Sequence, residues 1–193
     1  GRLANMAALW KSYSTMGNNY VKLDKIPEAI EYYKQALEIS QEFEKGRKQI
    51  LNLAALGRAY SALGKTSKAI KFLEEALAIS SDIKDRRSQA NVLAYLGHAY
   101  VKIGDNYKTI KFLEKALTIF KIINEKKGQD ANLATLSQAL AQLDLDNTTL
   151  GKLPEIIEIQ EKALELFQEF RYYQGQGVVF SALGYSYTRL GKM

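Results

Sequence analysis

The chain has 193 residues, 47% of them apolar and 25% charged, the composition of a folded protein rather than a disordered one. It has no cysteine and a single histidine, which excludes a disulfide framework, a thiol nucleophile and any cysteine-ligated metal centre. Twenty-seven basic against 21 acidic side chains leave a formal charge of +6, which permits an acidic partner without requiring one.

Only two prolines interrupt the chain, and this predicts long helices rather than a sandwich or barrel. The opening residues, Gly1 to Met6, lack the charged-then-apolar layout of a signal peptide, and no run of about 18 apolar residues offers a membrane span. A cytoplasmic-type piece of a longer protein is expected. Trp10 and Tyr13 are expected either to cover the apolar end of a helix stack or to meet a preceding segment.

The chain then repeats itself. Leu56-Gly57-Arg58-Ala59-Tyr60 recurs forty residues on as Leu96-Gly97-His98-Ala99-Tyr100, and forty residues back as Met16-Gly17-Asn18-Asn19-Tyr20. Ala69-Ile70 aligns in the same register with Ala29-Ile30 and Thr109-Ile110, and Ala76-Leu77 with Ala36-Leu37 and Ala116-Leu117. A fourth copy is degraded, with Ser137 for glycine, Leu140 for tyrosine and Ile156 for alanine, and seven extra residues precede Ala163-Leu164. A fifth begins at Leu183-Gly184-Tyr185-Ser186-Tyr187.

Each period holds two helical stretches. In the second copy Ile50, Leu53, Leu56, Gly57, Tyr60 and Leu63 fall at three- and four-residue steps on one face, Gly64 stops the helix, and Ala69, Ile70, Leu73, Ala76 and Leu77 mark the next. Pro27 and Pro154 occupy the aligned start of the second helix, where a missing amide costs least. Gly17, Gly57, Gly97 and Gly184 are expected mid-helix, where a side chain would block the paired helix. The predicted units are 7–45, 46–85, 86–125 and 126–172 with an insertion at 145–151, then a terminal helix over 173–193. Together they form one array.

This Leu-Gly-x-x-Tyr, Gly, Ala-Ile and Ala-Leu pattern resembles the tetratricopeptide repeat. The forty-residue period is similar to the longer-helix subtype of Pins-type scaffolds and of bacterial, notably cyanobacterial, signalling proteins. The resemblance implies an all-α fold, a right-handed α-solenoid of about four repeats plus a terminal helix, whose first helices line a concave groove for peptides or proteins. Projected onto this sequence, the groove would present Lys11, Asn18, Arg58, Asn91, Tyr95, His98, Lys102, Gln138, Tyr185 and Arg189. No Asp or Glu falls at the projected positions. The acids sit on second helices, as at Glu28, Glu74, Glu114 and Glu158, so an acidic segment or a C-terminal carboxylate would be steered inward. The alternative is that these are simply solvated polar positions. The family's two-carboxylate clamp for chaperone tails is not expected, because none of its three possible frames supplies the required cations.

Other motifs carry less. Ala59 to Thr66 fits a relaxed phosphate-loop pattern, but the residues before Gly64 read as helix, whose amides are already bonded. Asp144, Asp146, Thr148 and Glu155 mimic part of a calcium loop, yet Thr149 stands where its glycine belongs and Lys152 intrudes. Gly175-Gln176-Gly177 reads as a turn at a helix start, and His98 has no second ligand beside it. Basic junctions such as Lys84 to Arg87 lack interleaved aromatics and read as solvated turns.

The expectation is therefore a non-catalytic scaffold binding a protein or peptide, without metal, cofactor, nucleic acid or membrane. The alternative is the regulatory arm of a larger signalling enzyme whose catalytic domain lies outside this chain. The terminal helix either caps the array or is covered by a second molecule.

Overall fold

The computed structural model describes residues 1–43, 46–143 and 153–191. Among these residues it shows helices and no strand: α1 (Arg2–Lys22), α2 (Ile26–Phe43), α3 (Arg47–Ala62), α4 (Thr66–Asp82), α5 (Arg86–Val101), α6 (Asn106–Ile122), α7 (Lys126–Leu143), α8 (Leu153–Glu169) and α9 (Tyr173–Leu190). The fold is an all-α helical-repeat solenoid in class. The insertion 145–151 and the calcium-like residues Asp144, Asp146, Thr148, Thr149 and Lys152 lie outside the described residues. The backbone divides into two units, Gly1–Ile103 and Gly104–Met193.

Three-residue turns link α1 to α2, α3 to α4, α4 to α5, α6 to α7 and α8 to α9, and they share one chemistry. The middle residue is left-handed: Asp24 (φ 58°), Gly64 (71°), Lys84 (56°), Asn124 (56°) and Arg171 (53°). The next amide then reaches back to a carbonyl five residues earlier, as Lys25 N to Tyr20 O and Lys65 N to Tyr60 O, both at 2.9 Å, and Tyr172 N to Phe167 O at 2.8 Å. These bonds satisfy carbonyls that a helix end otherwise leaves open. Gly64 takes the left-handed conformation at no steric cost, whereas Lys84 and Arg171 hold it with a Cβ. The same bonds occupy the amides of the phosphate-loop look-alike, since Leu63 N donates to Ala59 O and Gly64 N to Ser61 O. No amide nest is left there for a phosphate.

In the first unit the hairpins α1/α2 and α3/α4 pack along their length. The mid-helix glycines explain why. A Cβ on Gly17 would fall 2.6 Å from the Tyr33 ring, and one on Gly57 would fall 2.6 Å from Leu73 and 3.2 Å from the Ala69 carbonyl oxygen. Ala29, Ile30, Tyr33, Leu56, Ala59, Tyr60 and Ala69 form one core cluster, with the Tyr60 and Phe72 rings stacked at 5.4 Å. Asp85 caps α5: its carboxylate accepts from Ser88 N at 3.2 Å and from Arg47 Nε at 2.8 Å.

The second unit is built differently. Ile110, Leu113, Leu117, Leu133, Leu136, Leu140, Ile156, Phe167 and Val179 make its core. Ser137, Leu140 and Ile156 are buried where the earlier copies have glycine, tyrosine and alanine. With side chains in place of small residues, the α7 and α8 backbones approach at few points, and α7 keeps closer to α9.

Two sequence expectations need correction. Gly184 was expected to admit a paired helix, but a Cβ there would meet nothing within 4 Å, because among the described residues no second helix follows α9. Gly175 and Gly177 lie inside the first turns of α9 rather than in a turn. Gly175 is there because a Cβ would press on Tyr172 and lie 2.8 Å from the Phe167 ring.

Candidate functional site

The first helices of the first unit, α1, α3 and α5, each contribute residues at three- and four-residue steps to one cavity. Trp10, Ser14 and Asn18 come from α1; Leu51, Asn52, Ala54, Ala55 and Arg58 from α3; Ser88, Asn91, Val92 and Tyr95 from α5. The cavity measures about 260 Å³, and Tyr33 of α2 reaches it from behind. A second hollow of about 400 Å³ continues along α3 and α5 past Ser61, His98 and Lys102. A third of about 420 Å³ lies toward Lys22 and Ile26. Arg58 borders all three.

Small side chains at Ala54 and Ala55 leave the room, and polar groups at its edge set the chemistry. The Arg58 guanidinium carbon stands 5.1 Å from the Tyr95 ring centroid, an arrangement that holds the cation in place. The Tyr33 hydroxyl donates to Asn18 Oδ1 at 2.8 Å. Burial pushes the Tyr33 hydroxyl above its ordinary pKa, against the opposing pull of Arg58, so it remains a donor. The Ser14 hydroxyl donates to Asn52 Oδ1 at 3.0 Å. Lys102 Nζ donates to the Ser61 carbonyl at 2.6 Å, which draws its charge to the C-terminal end of α3. No Asp or Glu lines any of the three hollows.

Of the residues projected from the sequence, the structure thus gathers Asn18, Arg58, Asn91 and Tyr95 around one cavity and places His98 and Lys102 beside it. Lys11 is exposed on α1 and borders none of the three. In the second unit Gln138 is exposed on α7, and Arg189 lies with its guanidinium carbon 5.5 Å from the Tyr185 ring centroid on α9.

Two lining residues escaped the sequence reading. Trp10, expected from the sequence either at the end of the stack or against a preceding segment, lines the cavity under Lys48, whose Nζ is 5.3 Å from its ring centroid. Asn52 was not singled out, although a polar residue inside the apolar run Ile50-Leu51-Asn52-Leu53 was the available signal.

Family comparison agrees with this architecture. Models described as tetratricopeptide repeat match residues 7–82 and 90–121, together more than half of the chain. The chain belongs to the tetratricopeptide-repeat family. Repeats of this family recur in solved structures with the same fold. A kinesin light chain of Podosopora anserina with nearly identical TPR-like repeats is 19% identical, with 94% of this chain and 87% of that one covered and a TM-score of 0.62. The TPR2AB domain of yeast Sti1, solved in complex with pHSP90, is 20% identical over 96% of this chain and 76% of that one, with a TM-score of 0.56. A signal transduction ATPase with numerous domains and a tetratricopeptide repeat sensor, from Pyrococcus horikoshii, is 21% identical over 93% of this chain and 27% of that one, with a TM-score of 0.56. No curated protein matches the sequence.

Proposed function

We propose that this chain is a non-catalytic interaction scaffold that binds an acidic segment of a protein or peptide along the face formed by α1, α3 and α5. The observation that carries the reading is Arg58, held on Tyr95 at the junction of three hollows whose linings contain no carboxylate. An anionic segment would be drawn to that face and its backbone held by Asn18 and Asn91. The repeat family and the Sti1 domain, whose solved complex contains pHSP90, support a protein ligand. Lys11, His98 and Lys102 extend the proposed contact surface of the first unit; Gln138, Tyr185 and Arg189 are proposed as contact residues of the second unit by itself.

An array of immobilised peptides, graded in acidic content and probed with the chain and with its Arg58→Glu/Lys102→Glu form, tests this. The wild-type chain is expected to prefer acidic peptides and the reversed form to lose at least tenfold in affinity. Equal retention by both forms would remove the basic groove.

A second reading makes the chain the sensor arm of a larger signalling enzyme. It is favoured by the Pyrococcus horikoshii ATPase, of which the chain spans 27% and whose description includes a tetratricopeptide repeat sensor. On α9, Phe180 is 57% exposed beside the vacant Gly184, and a second molecule covering that face belongs to the proposal. A mass in sedimentation that stays monomeric at every concentration would remove that part. Among the described residues no helix is long and apolar enough to cross a membrane.

A further inference from the structure

We propose that the cleft at the C-terminal ends of α2 and α4 binds a basic segment of a partner protein, with arginines over Glu75 and Asp82. The cleft shares no lining residue with the three hollows around Arg58, so this inference goes beyond the acidic-segment reading and does not depend on it.

The cleft measures about 440 Å³. α4 supplies its floor with Ala78 and Ile79, and Ile83, 46% exposed, adds apolar surface at the end of that helix. Glu75 and Asp82 stand on the same helix two turns apart, about 10 Å along its axis. No Lys or Arg joins them in the lining. Neither carboxylate makes an ion pair or a hydrogen bond with any described residue. An aliphatic floor between two unanswered acids is the complement of a segment that carries two cations with an apolar side chain between them.

The acids also stand where the helix disfavours them. The carbonyl end of a helix carries partial negative charge and favours a cation. α4 places Lys68 and Lys71 near its start and Glu75 and Asp82 toward its end, with no base in the last turn, and α2 has none in its last turn either. α6 follows the ordinary rule, with Lys121 in its last turn. One period on, Glu75 and Asp82 are replaced by Lys115 and Ile122, so the reversal belongs to this copy and not to the repeat.

A polar pair beside the acids differs between copies in the same way. Gln89 donates to Ser81 Oγ at 3.2 Å, whereas their counterparts Gln49 and Gln41 border the cleft and bond no described residue through their side chains. Their open amides suit a peptide backbone, which a simple polyamine lacks. Arginine fits better than lysine, because its flat, weakly hydrated guanidinium can lie on Ile79 and Ile83 while donating to a carboxylate.

The full chain is titrated into a labelled helical peptide with two arginines seven residues apart and a leucine midway on the same face, followed by fluorescence anisotropy. A citrulline counterpart keeps the shape without the charge. The arginine peptide is expected to bind saturably and at least about tenfold more tightly than the citrulline one, by a margin that shrinks as salt rises. Glu75→Gln/Asp82→Asn is expected to lose at least about tenfold for the arginine peptide and to leave the binding of acidic peptides as it was. Ile83→Ser is expected to weaken both helical peptides. Asp82→Asn alone should melt at or above the wild-type temperature, because the charge it removes opposes the helix end.

Equal affinity for the arginine and citrulline peptides, unchanged binding by the double variant, or spermidine held as tightly as the arginine peptide would each overturn the inference. A lower melting temperature for Asp82→Asn would do so too, since the acid would then serve the fold. An arginine peptide that binds while no acidic peptide does would remove the basic groove and leave this cleft standing.

Discussion

The two units solve the same packing problem with opposite choices of residue size. In the first unit Ser40 and Ser80, fully buried near the ends of α2 and α4, turn their hydroxyls onto the carbonyls of Leu37 and Leu77 at 2.8 and 2.9 Å. One and two periods later the equivalent residues are Phe120 and Phe167, and Gly128 and Gly175 stand opposite the rings to admit them. A Cβ on Gly128 would lie 2.5 Å from Phe120. Small residues inside the hairpins therefore bring paired backbones together in the first unit. In the second, large rings at the junctions carry more of the packing, and the α7/α8 hairpin stays open.

The sharpest way to break this comparison is to remove a ring. Phe167→Ala is expected to destabilise the second unit by about 3–5 kcal/mol, whereas Ser80→Ala in the first should lose only a single hydrogen bond, about 1 kcal/mol. Chemical denaturation followed by residue-resolved hydrogen exchange separates the two. Similar losses from both would show that the junction rings carry no special weight.

The next largest contrast is between glycines. Gly57→Ala drives a methyl into Leu73 and should cost about 1–3 kcal/mol, while Gly184→Ala meets open space and should gain up to about 1 kcal/mol from helix propensity. Thermal melts of the two variants check this. A loss at Gly184 equal to that at Gly57 would mean that another element covers α9.

Acidity should separate the units as well. Glu114 on α6 has a buried oxygen without a partner; burial pushes its carboxyl up to about 7, only partly opposed by the Lys162 cation. With its folded value above the ordinary one of about 4.3, its contribution is whole in acid and fades as pH rises through 7. Asp85 in the first unit runs the other way. Burial alone would raise it, but hydrogen bonds from Arg47 and Ser88 outweigh burial and hold it below the usual range, so its contribution fades as pH falls through that lowered value. Glu114→Gln is expected to raise stability at pH 8 by an amount on the order of 2 kcal/mol and to flatten the fall between about pH 4 and 7. Asp85→Asn should cost about 1 kcal/mol at neutral pH and remove the loss in acid. Denaturation midpoints against pH decide both; an unchanged slope in either variant would show that its carboxyl does not drive the dependence.

The smallest effect is at the turns. Lys84→Gly and Arg171→Gly should each stabilise by about 0.5–1 kcal/mol by relieving a left-handed Cβ, whereas Gly64→Ala should cost a similar amount. Differences in melting temperature measure them, and destabilisation by both glycines would show that their side chains matter more than their backbone angles.

Much of this was legible in the sequence because it is local. Leu53, Leu56 and Tyr60 follow the helical period; Gly64 ends a helix by its own backbone freedom; Pro27 and Pro154 open second helices where no amide is needed. The candidate site was legible in part, since the same period places Asn18, Arg58, Asn91 and Tyr95 on matching faces of successive first helices. The reason for Gly175 was hidden, because its neighbour Phe167 belongs to the preceding helix and meets it only across the turn.

The amino-acid order alone determined the repeat, the helices and their apolar stripes, because each of these depends on residues within a turn or two of one another. Tertiary packing decided what faces what. Ser14 and Asn52 are 38 residues apart, and their hydrogen bond exists only once α1 and α3 have packed. Trp10 becomes a cavity wall, and Gly184 an empty place, through neighbours that local order does not name. A donor's availability is a property of everything packed around it, so it exists only once the helices have met.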